Sequence, residues 1–386
     1  MRNFTFLNPT KIVFGKEAEK QIADVIKPYG EKVLIVHYGD AFIKSTGLIE
    51  RLKGYLEEEG ITSIELAGIK PNPTLEKVYE GIKICKQEKV DVVLAVGGGS
   101  VIDTAKGIAV GAVTDKDVLL FYKQEAIPEK MLPMGSVVTI AATGSESSNC
   151  TCLYYNGEKI EFLEDVIRPN FAILNPELTI TLPHFQTFCG VVDTFSHILE
   201  RYTTTVKDMD YVDHLCEASM RSLIRNANIL LRDPKNYAAR AEVMLLANMA
   251  HNDMLHMGGQ PDVGGHWLAQ AISELYDLAH GETIGLVMPS WLRMIYKKDI
   301  SRFAQYAVRV WGVEYDPNDL EGVALRGIQL TEDFIRSTGL PTKFSELDFE
   351  VDIEELTRKA SKRGSVGLCF TLYPDEIHEL FLMIKE

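Results

Sequence analysis

Over the first 180 or so residues, short apolar runs alternate with stretches of helical periodicity. Residues 32–37 read as a buried strand, and residues 43–59 as a helix ended by Gly60. Residues 63–67 read as a second strand. Residues 74–88 read as a helix, with Pro73 before it and Thr74 as its cap. Residues 91–96 form a third apolar run that enters a glycine-rich turn and a helix from Val101, and residues 136–141 read as a further strand. Strands alternating with helices predict a parallel sheet covered on both faces, since each crossover helix must pack back on the sheet. After about Leu182 the pattern changes. Residues 208–232, 237–257 and 320–338 keep helical periodicity, and no runs there pair as strands. The expected architecture is an α/β domain over residues 1–182 and an all-α domain over 183–386. The boundary near Leu182 and Pro183 has no flexible linker, and there is no internal repeat.

Composition narrows the class of function. A chain of 386 residues has room for two domains, and 46% hydrophobic with 25% charged residues is ordinary for a soluble enzyme. The formal net charge of −15, with no long basic run, argues against nucleic acid or an anionic membrane as a partner. The first residues lack an apolar signal core, and no apolar run approaches the roughly 20 residues that span a bilayer. Six scattered cysteines point to free thiols in a reducing cytoplasm. Cys150 and Cys152 are too close for an ordinary disulfide and lack a second pair for zinc.

Four residues of the second half read as a metal site: Asp193, His197, His266 and His280. Asp193 and His197 are four apart at helical spacing, so they share one face and can reach one ion at bond lengths of roughly 2 Å. His266 and His280 are fourteen apart, about 21 Å along a straight helix. They can share an ion only if the chain turns back before His280, and Gly281 is a plausible place. Three imidazoles and a carboxylate suit Fe(II), Zn, Co or Ni. His184, His214, His251 and His378 read as non-ligands, whereas His256 stays a weak candidate for the cleft. Phe188, Trp267 and Tyr276 would line a pocket or, as aromatics at helical spacing, belong to the core. Residues 361–370 read as a loop returning to the site or as a surface turn.

The first half carries a phosphate-cradling pattern. Gly97, Gly98, Gly99 and Ser100 follow a buried strand and open a helix bearing Asp103 and Lys106. Glycines admit a pyrophosphate close to the backbone, and the helix start offers N–H donors. The motif departs from GxGxxG because Ile102 takes the third glycine position. Thr139, Thr143 and Ser145 line a second small polar loop after a strand, suited to phosphate or a nicotinamide amide. Asp40, just beyond the first strand, would bond a ribose and favour NAD over NADP; equally it would serve as a helix N-cap.

Taken together, the chain resembles the iron-containing (group III) alcohol dehydrogenases, most closely their butanol dehydrogenase-like branch. The resemblance runs through residues 8–15, 71–74, 96–106, 143–146, 175–183 and 275–281. It implies a dehydroquinate synthase-like fold with an N-terminal dinucleotide domain, a C-terminal helical metal domain and a cleft between them. It implies Asp193, His197, His266 and His280 as metal ligands, and Gly97, Gly98, Gly99, Ser100, Thr139, Thr143 and Ser145 as cofactor contacts. The activity implied is reversible hydride transfer between NAD or NADP and a small primary alcohol or aldehyde. The resemblance also implies a divalent metal, Fe2+ or Zn2+, as the Lewis acid, and a homodimer or higher homo-oligomer. One departure stands out: Gln270 occupies the place of a second histidine near the substrate, and an amide cannot titrate. A cofactor contact at Lys159 is left unassigned. The rival readings are a polyol or glycerol dehydrogenase of the same fold, and a metal- and nucleotide-binding protein in which Gln270 has weakened turnover.

Overall fold

The structure, a computed structural model, describes residues 1–385. Strands β1 (Lys11–Phe14), β2 (Lys32–His37), β3 (Thr62–Leu66), β4 (Val92–Gly97), β5 (Met134–Val138) and β8 (Phe171–Leu174) form one six-stranded sheet in the order β1-β8-β5-β4-β2-β3. Every pairing in it is parallel. Strands β6 (Cys150–Tyr155) and β7 (Glu158–Leu163) make a separate antiparallel hairpin. The crossovers hold α1 (Ile22–Ile26), α2 (Ala41–Ser45), α3 (Leu48–Glu58), α4 (Leu75–Glu88), α5 (Gly99–Ala112) and α6 (Leu119–Tyr122).

Side chains alternate across the sheet as strand geometry requires. Leu34, Val36, Val93 and Ala95 face a core built with α4 and α5, whereas Val33, Ile35, Val92 and Leu94 face one built with α1 and α3. This explains why β2 and β4 read as unbroken apolar runs: both faces are covered. The strands missed in the sequence are β1 and β8, only four residues each, and those of the β6–β7 hairpin. The expected helix over 43–59 is broken at Gly47, which sits in the left-handed region at φ 62.

Helices follow from Pro183 onward: α7 (His184–Tyr202), α8 (Asp210–Arg232), α9 (Tyr237–Ala250), α10 (Gly264–Tyr276), α11 (His280–Ile295), α12 (Ile300–Trp311), α13 (Leu320–Ser337), α14 (Ile353–Ala360) and α15 (Pro374–Lys385). The chain divides into two compact units, whose bounds differ from the simple partition at residue 182 in two places. Lys235–Asn252, which includes α9, groups with Leu7–Leu182, because Asn248 and His251 bond to the loop after β5. Met1–Phe6 groups with Pro183–Pro234 and Asp253–Glu386, because Arg2 donates its N–H to the Gly258 carbonyl. Helix α9 also ends at Ala250, short of the expected residue 257; Asp253 at φ 73 redirects the chain. Among the described residues no helix is long and apolar enough to cross a membrane.

Candidate functional site

In the helical unit, α7 carries Asp193 and His197 on one face, and both are buried. Helix α10 presents His266 from its first turn, and α11 begins at His280. The reversal that joins them lies at Asp277, in the left-handed region at φ 52, and not at Gly281. Gly281 matters for packing instead. A Cβ there would overlap the Cys189 backbone, so glycine lets α11 press onto α7.

Asp193, His266 and His280 each bring one ligand atom into a group whose members lie within 4.8 Å of one another. Asp193 Oδ1 is 3.6 Å from His266 Nε2 and 3.5 Å from His280 Nε2. Two ligands at tetrahedral angles on bonds of about 2 Å stand roughly 3.3 Å apart. The observed spacing is close to that, and too long for hydrogen bonds. His266 Nε2 is buried with no hydrogen-bond partner among the described residues, a costly arrangement unless an ion takes it up. His197 stands alongside the three: its ring stacks on His266 at 4.6 Å between centroids, and its Nδ1 is 3.9 Å from Asp193 Oδ1. The donor set therefore fits a divalent cation.

Glu200 was not anticipated. It follows Asp193 and His197 on the same face of α7, at seven and three residues, and that spacing was the available signal. Its side chain is 1% exposed, and Oε2 lies 2.5 Å from His266 Nδ1, a tight charge contact rather than an ideally aligned hydrogen bond. Oε1 accepts the His266 backbone N–H at 3.1 Å. Burial alone would lower the His266 pKa, but the carboxylates of Glu200 and Asp193 outweigh it and hold the ring up at about 9. The Glu200 carbonyl accepts the N–H of Asp262, whose own carboxylate accepts N–H groups from Gly264, Leu368 and Phe370. Burial pushes Asp262 up to about 6. Part of the expected loop over 361–370 is thereby tied to the start of α10.

Other candidates resolve into packing. Phe188 is fully buried against the His184 ring, and Tyr276 stacks on Phe349. Arg363 lies 5.0 Å over the Trp267 ring. His256 sits beside Asp253. Gln270 donates to Glu274 at 2.8 Å, and Glu274 pairs with Lys359 at 2.6 Å.

In the α/β unit, β4 runs into Gly98, and α5 starts at Gly99. A Cβ on Gly98 would stand 3.2 Å from the Tyr38 hydroxyl, and one on Gly99 would stand 2.7 Å from Thr143 Cγ2. The glycine loop and the loop after β5 thus form one surface; a side chain at Gly99 would force Thr143 to move, and one at Gly98 would be tight. Tyr38, absent from the expected set, meets the Gly98 backbone and Ser100 through its hydroxyl, and burial pushes its phenol up to about 12. Thr139 donates its backbone N–H to the Gly97 carbonyl.

Asp103 and Ser145 are turned toward each other. Ser145 Oγ donates to Asp103 Oδ1 at 2.6 Å, and Cys152 Sγ donates to Asp103 Oδ2 at 3.1 Å. Lys106 is fully buried and donates to Ser145 Oγ, to the hydroxyl and carbonyl of Ser148, and to the Cys150 carbonyl. Burial lowers its pKa. Lys159, on β7, is half-buried, and Cys152 and Glu161 beside it outweigh desolvation and raise its pKa. Asp40 caps α2, with Oδ1 accepting the Ile43 N–H at 2.8 Å.

The chain is similar to known proteins over nearly its whole length. The chain is 36% identical over 380 residues to a protein of Bacillus subtilis named probable NADH-dependent butanol dehydrogenase 1, covering 98% of both chains. It is 34% identical to an NADPH-dependent aldehyde reductase of Escherichia coli, covering 95% of each. The crystal structure of NADH-dependent butanol dehydrogenase A from Thermotoga maritima superimposes with a TM-score of 0.94 at 32% identity, over 100% of this chain and 99% of that one. Residues 9–176 match the iron-containing alcohol dehydrogenase family and residues 187–382 match its C-terminal domain, so the chain belongs to the iron-containing alcohol dehydrogenase family.

Proposed function

We propose that this protein is a metal-dependent, NAD(P)-linked alcohol dehydrogenase and aldehyde reductase acting on a small primary alcohol or aldehyde. The observation that carries the reading is the convergence of Asp193, His266 and His280, with a buried imidazole nitrogen turned into the group. Asp193, His197, His266 and His280 would hold the ion, Fe2+ or Zn2+, which when bound supplies Lewis-acid polarisation of a substrate oxygen. Glu200 orients His266 so that Nε2 faces the ion position. Gly97, Gly98, Gly99 and Ser100, at the start of α5, offer backbone donors to the dinucleotide phosphates. Thr139 and Thr143 line the neighbouring loop, with Asp103 and Ser145 supporting it from beneath.

Oxidation of an alcohol removes a hydride from carbon and a proton from oxygen. Gln270 cannot carry that proton, so water, a ribose hydroxyl or His256 must. Asp40 favours NAD over NADP in this reading. Exposed Phe4, Phe6, Leu7 and Phe14 suit burial in a homodimer or higher homo-oligomer, and six free cysteines suit a reducing cytoplasm. The test is aldehyde-dependent oxidation of NADH and of NADPH, on protein loaded separately with Fe(II) and Zn, using butanal, lactaldehyde and glycerone. Turnover that disappears in His280→Ala supports the reading. Tight NADH binding without turnover on any metal would replace it with a substituted-site binding protein.

A further inference from the structure

The loop after β5 would be a poor platform by itself, since Gly144 stands in the left-handed region at φ 64 and the residues around it are small. Helix α9, which reaches this unit from the second half of the chain, holds it at several points. His251 Nδ1 is 2.9 Å from the Thr143 carbonyl oxygen. A carbonyl only accepts, so that ring nitrogen carries the proton. Asn248, fully buried, donates to Glu146 Oε1 and to Ser147 Oγ, each at 2.9 Å. Asn8 adds contacts from its amide to the Ser147 and Asn252 carbonyls. A Cβ on Gly144 would stand 2.7 Å from the Ala247 carbonyl oxygen and 2.8 Å from His251 Cβ, so the helix and the loop are as close as glycine allows.

We propose that α9 and the residue that ends it, His251, position the dinucleotide site, with His251 as the principal residue. The peptide between Thr143 and Gly144 is planar and trans, so its carbonyl and N–H point in opposite directions. Anchoring the Thr143 carbonyl on His251 turns the Gly144 N–H away from α9. There it serves as a donor to the nicotinamide dinucleotide. The same anchor sets the Thr143 side chain, whose Oγ1 would be 2.8 Å from a Cβ on Gly99, so a shift of Thr143 also disturbs the glycine loop. His251 is therefore a positioning residue for cofactor binding, although its spacing in the sequence gives it no role. The inference rests on the cofactor reading of residues 139–145 given under Proposed function.

The experiment uses full-length, metal-loaded protein carrying His251→Ala, His251→Leu or His251→Gln. NADH affinity is read by fluorescence titration, with the KM for butanal and the thermal midpoint measured alongside. Both variants without a donor should weaken NADH binding roughly tenfold, the order expected for one lost hydrogen bond. The KM for butanal should stay within about twofold. Gln, whose amide can donate to the same carbonyl, should recover binding to within about threefold. Leu, close to His in volume, keeps the packing if the Ala variant does not fold. Unchanged NADH affinity in the Leu variant would overturn the proposal. So would a Gln variant as weak as Leu, because lost packing rather than the donor would then be the cause. Wild-type protein that fails to bind NADH would instead overturn the underlying cofactor reading, and the proposal with it.

Discussion

Two buried aspartates, one in each unit, show how differently the same side chain is used. Asp193 faces imidazole nitrogens at 3.5, 3.6 and 3.9 Å, distances that suit shared ligation. Asp103 faces a hydroxyl at 2.6 Å and a thiol at 3.1 Å, distances of completed hydrogen bonds. The helical unit brings candidate ligand side chains together, with Glu200 behind them. The α/β unit offers backbone at the glycine loop and uses its ionisable side chains as scaffolding beneath it. A titratable residue is thus a poor guide to a binding site where the ligand is met by main-chain donors.

The largest effect should come from Asp193→Ala. It removes the oxygen around which the imidazoles gather, so metal content and turnover should both fall to background. NADH binding should persist, as a fluorescence titration will show. If the variant retains a full equivalent of metal, the division of labour drawn above is wrong. Glu200→Gln asks how much the supporting carboxylate matters. Loss of such an outer partner typically costs 10–100-fold in metal affinity. Competition against a chromophoric chelator measures it, and an unchanged affinity would reduce Glu200 to a packing residue.

The scaffolding of the other unit can be broken at Lys106. Lys106→Met leaves the Cys150 and Ser148 carbonyls without their buried donor. The expected loss is about 3 kcal/mol of stability, at one to three per stranded polar group, measurable by urea denaturation. The affinity for metal should not change. A variant of wild-type stability would mean that the ammonium is not needed where it sits.

Much of this contrast was legible in the sequence, but unevenly. The parallel sheet was, because β2 and β4 are apolar on both faces and only a doubly covered sheet requires that. The candidate ligands were, because residues four apart on α7 must share a face. Glu200 was overlooked although it continues that face, since nothing local says which carboxylate will meet an imidazole from α10. Tyr38 and His251 were invisible for a stronger reason: each acts on a backbone group brought near only by tertiary packing. The excursion of α9 into the first unit belongs to the same class. A helical pattern records that one face is buried and does not record against what.

The pH dependence of the metal site follows from His266. Its folded pKa, about 9, lies above the ordinary 6.5. In chelator-treated protein, the stability contributed by its protonated form is complete below pH 6.5 and is lost as pH rises through about 9. A bound cation must displace that proton. Metal affinity should therefore rise with pH, about tenfold per unit between 6.5 and 9 for a single displaced proton. Thermal midpoints with and without metal, measured across that window, should diverge as pH increases. Curves that run parallel would show that His266 is already neutral and that Glu200 does not hold its proton.

The smallest effect concerns Asp40, an observed helix cap for which a second role, at the ribose, is proposed. Its Oδ1 caps α2, and its charge stands at the end of β2, where an acidic group repels a 2′-phosphate. Asp40→Ser separates the two, since serine caps a helix about as well as aspartate but carries no charge. If the charge matters, the serine variant should keep its thermal midpoint and improve its KM for NADPH relative to NADH by about fivefold, the scale of one exposed charge pair in water. Asp40→Ala should show the same change in preference together with a lower midpoint, because the cap is lost as well. If the serine variant leaves the preference untouched, Asp40 is a cap alone. Discrimination between the two dinucleotides would then have to come from backbone donors and shape, as proposed for the glycine loop.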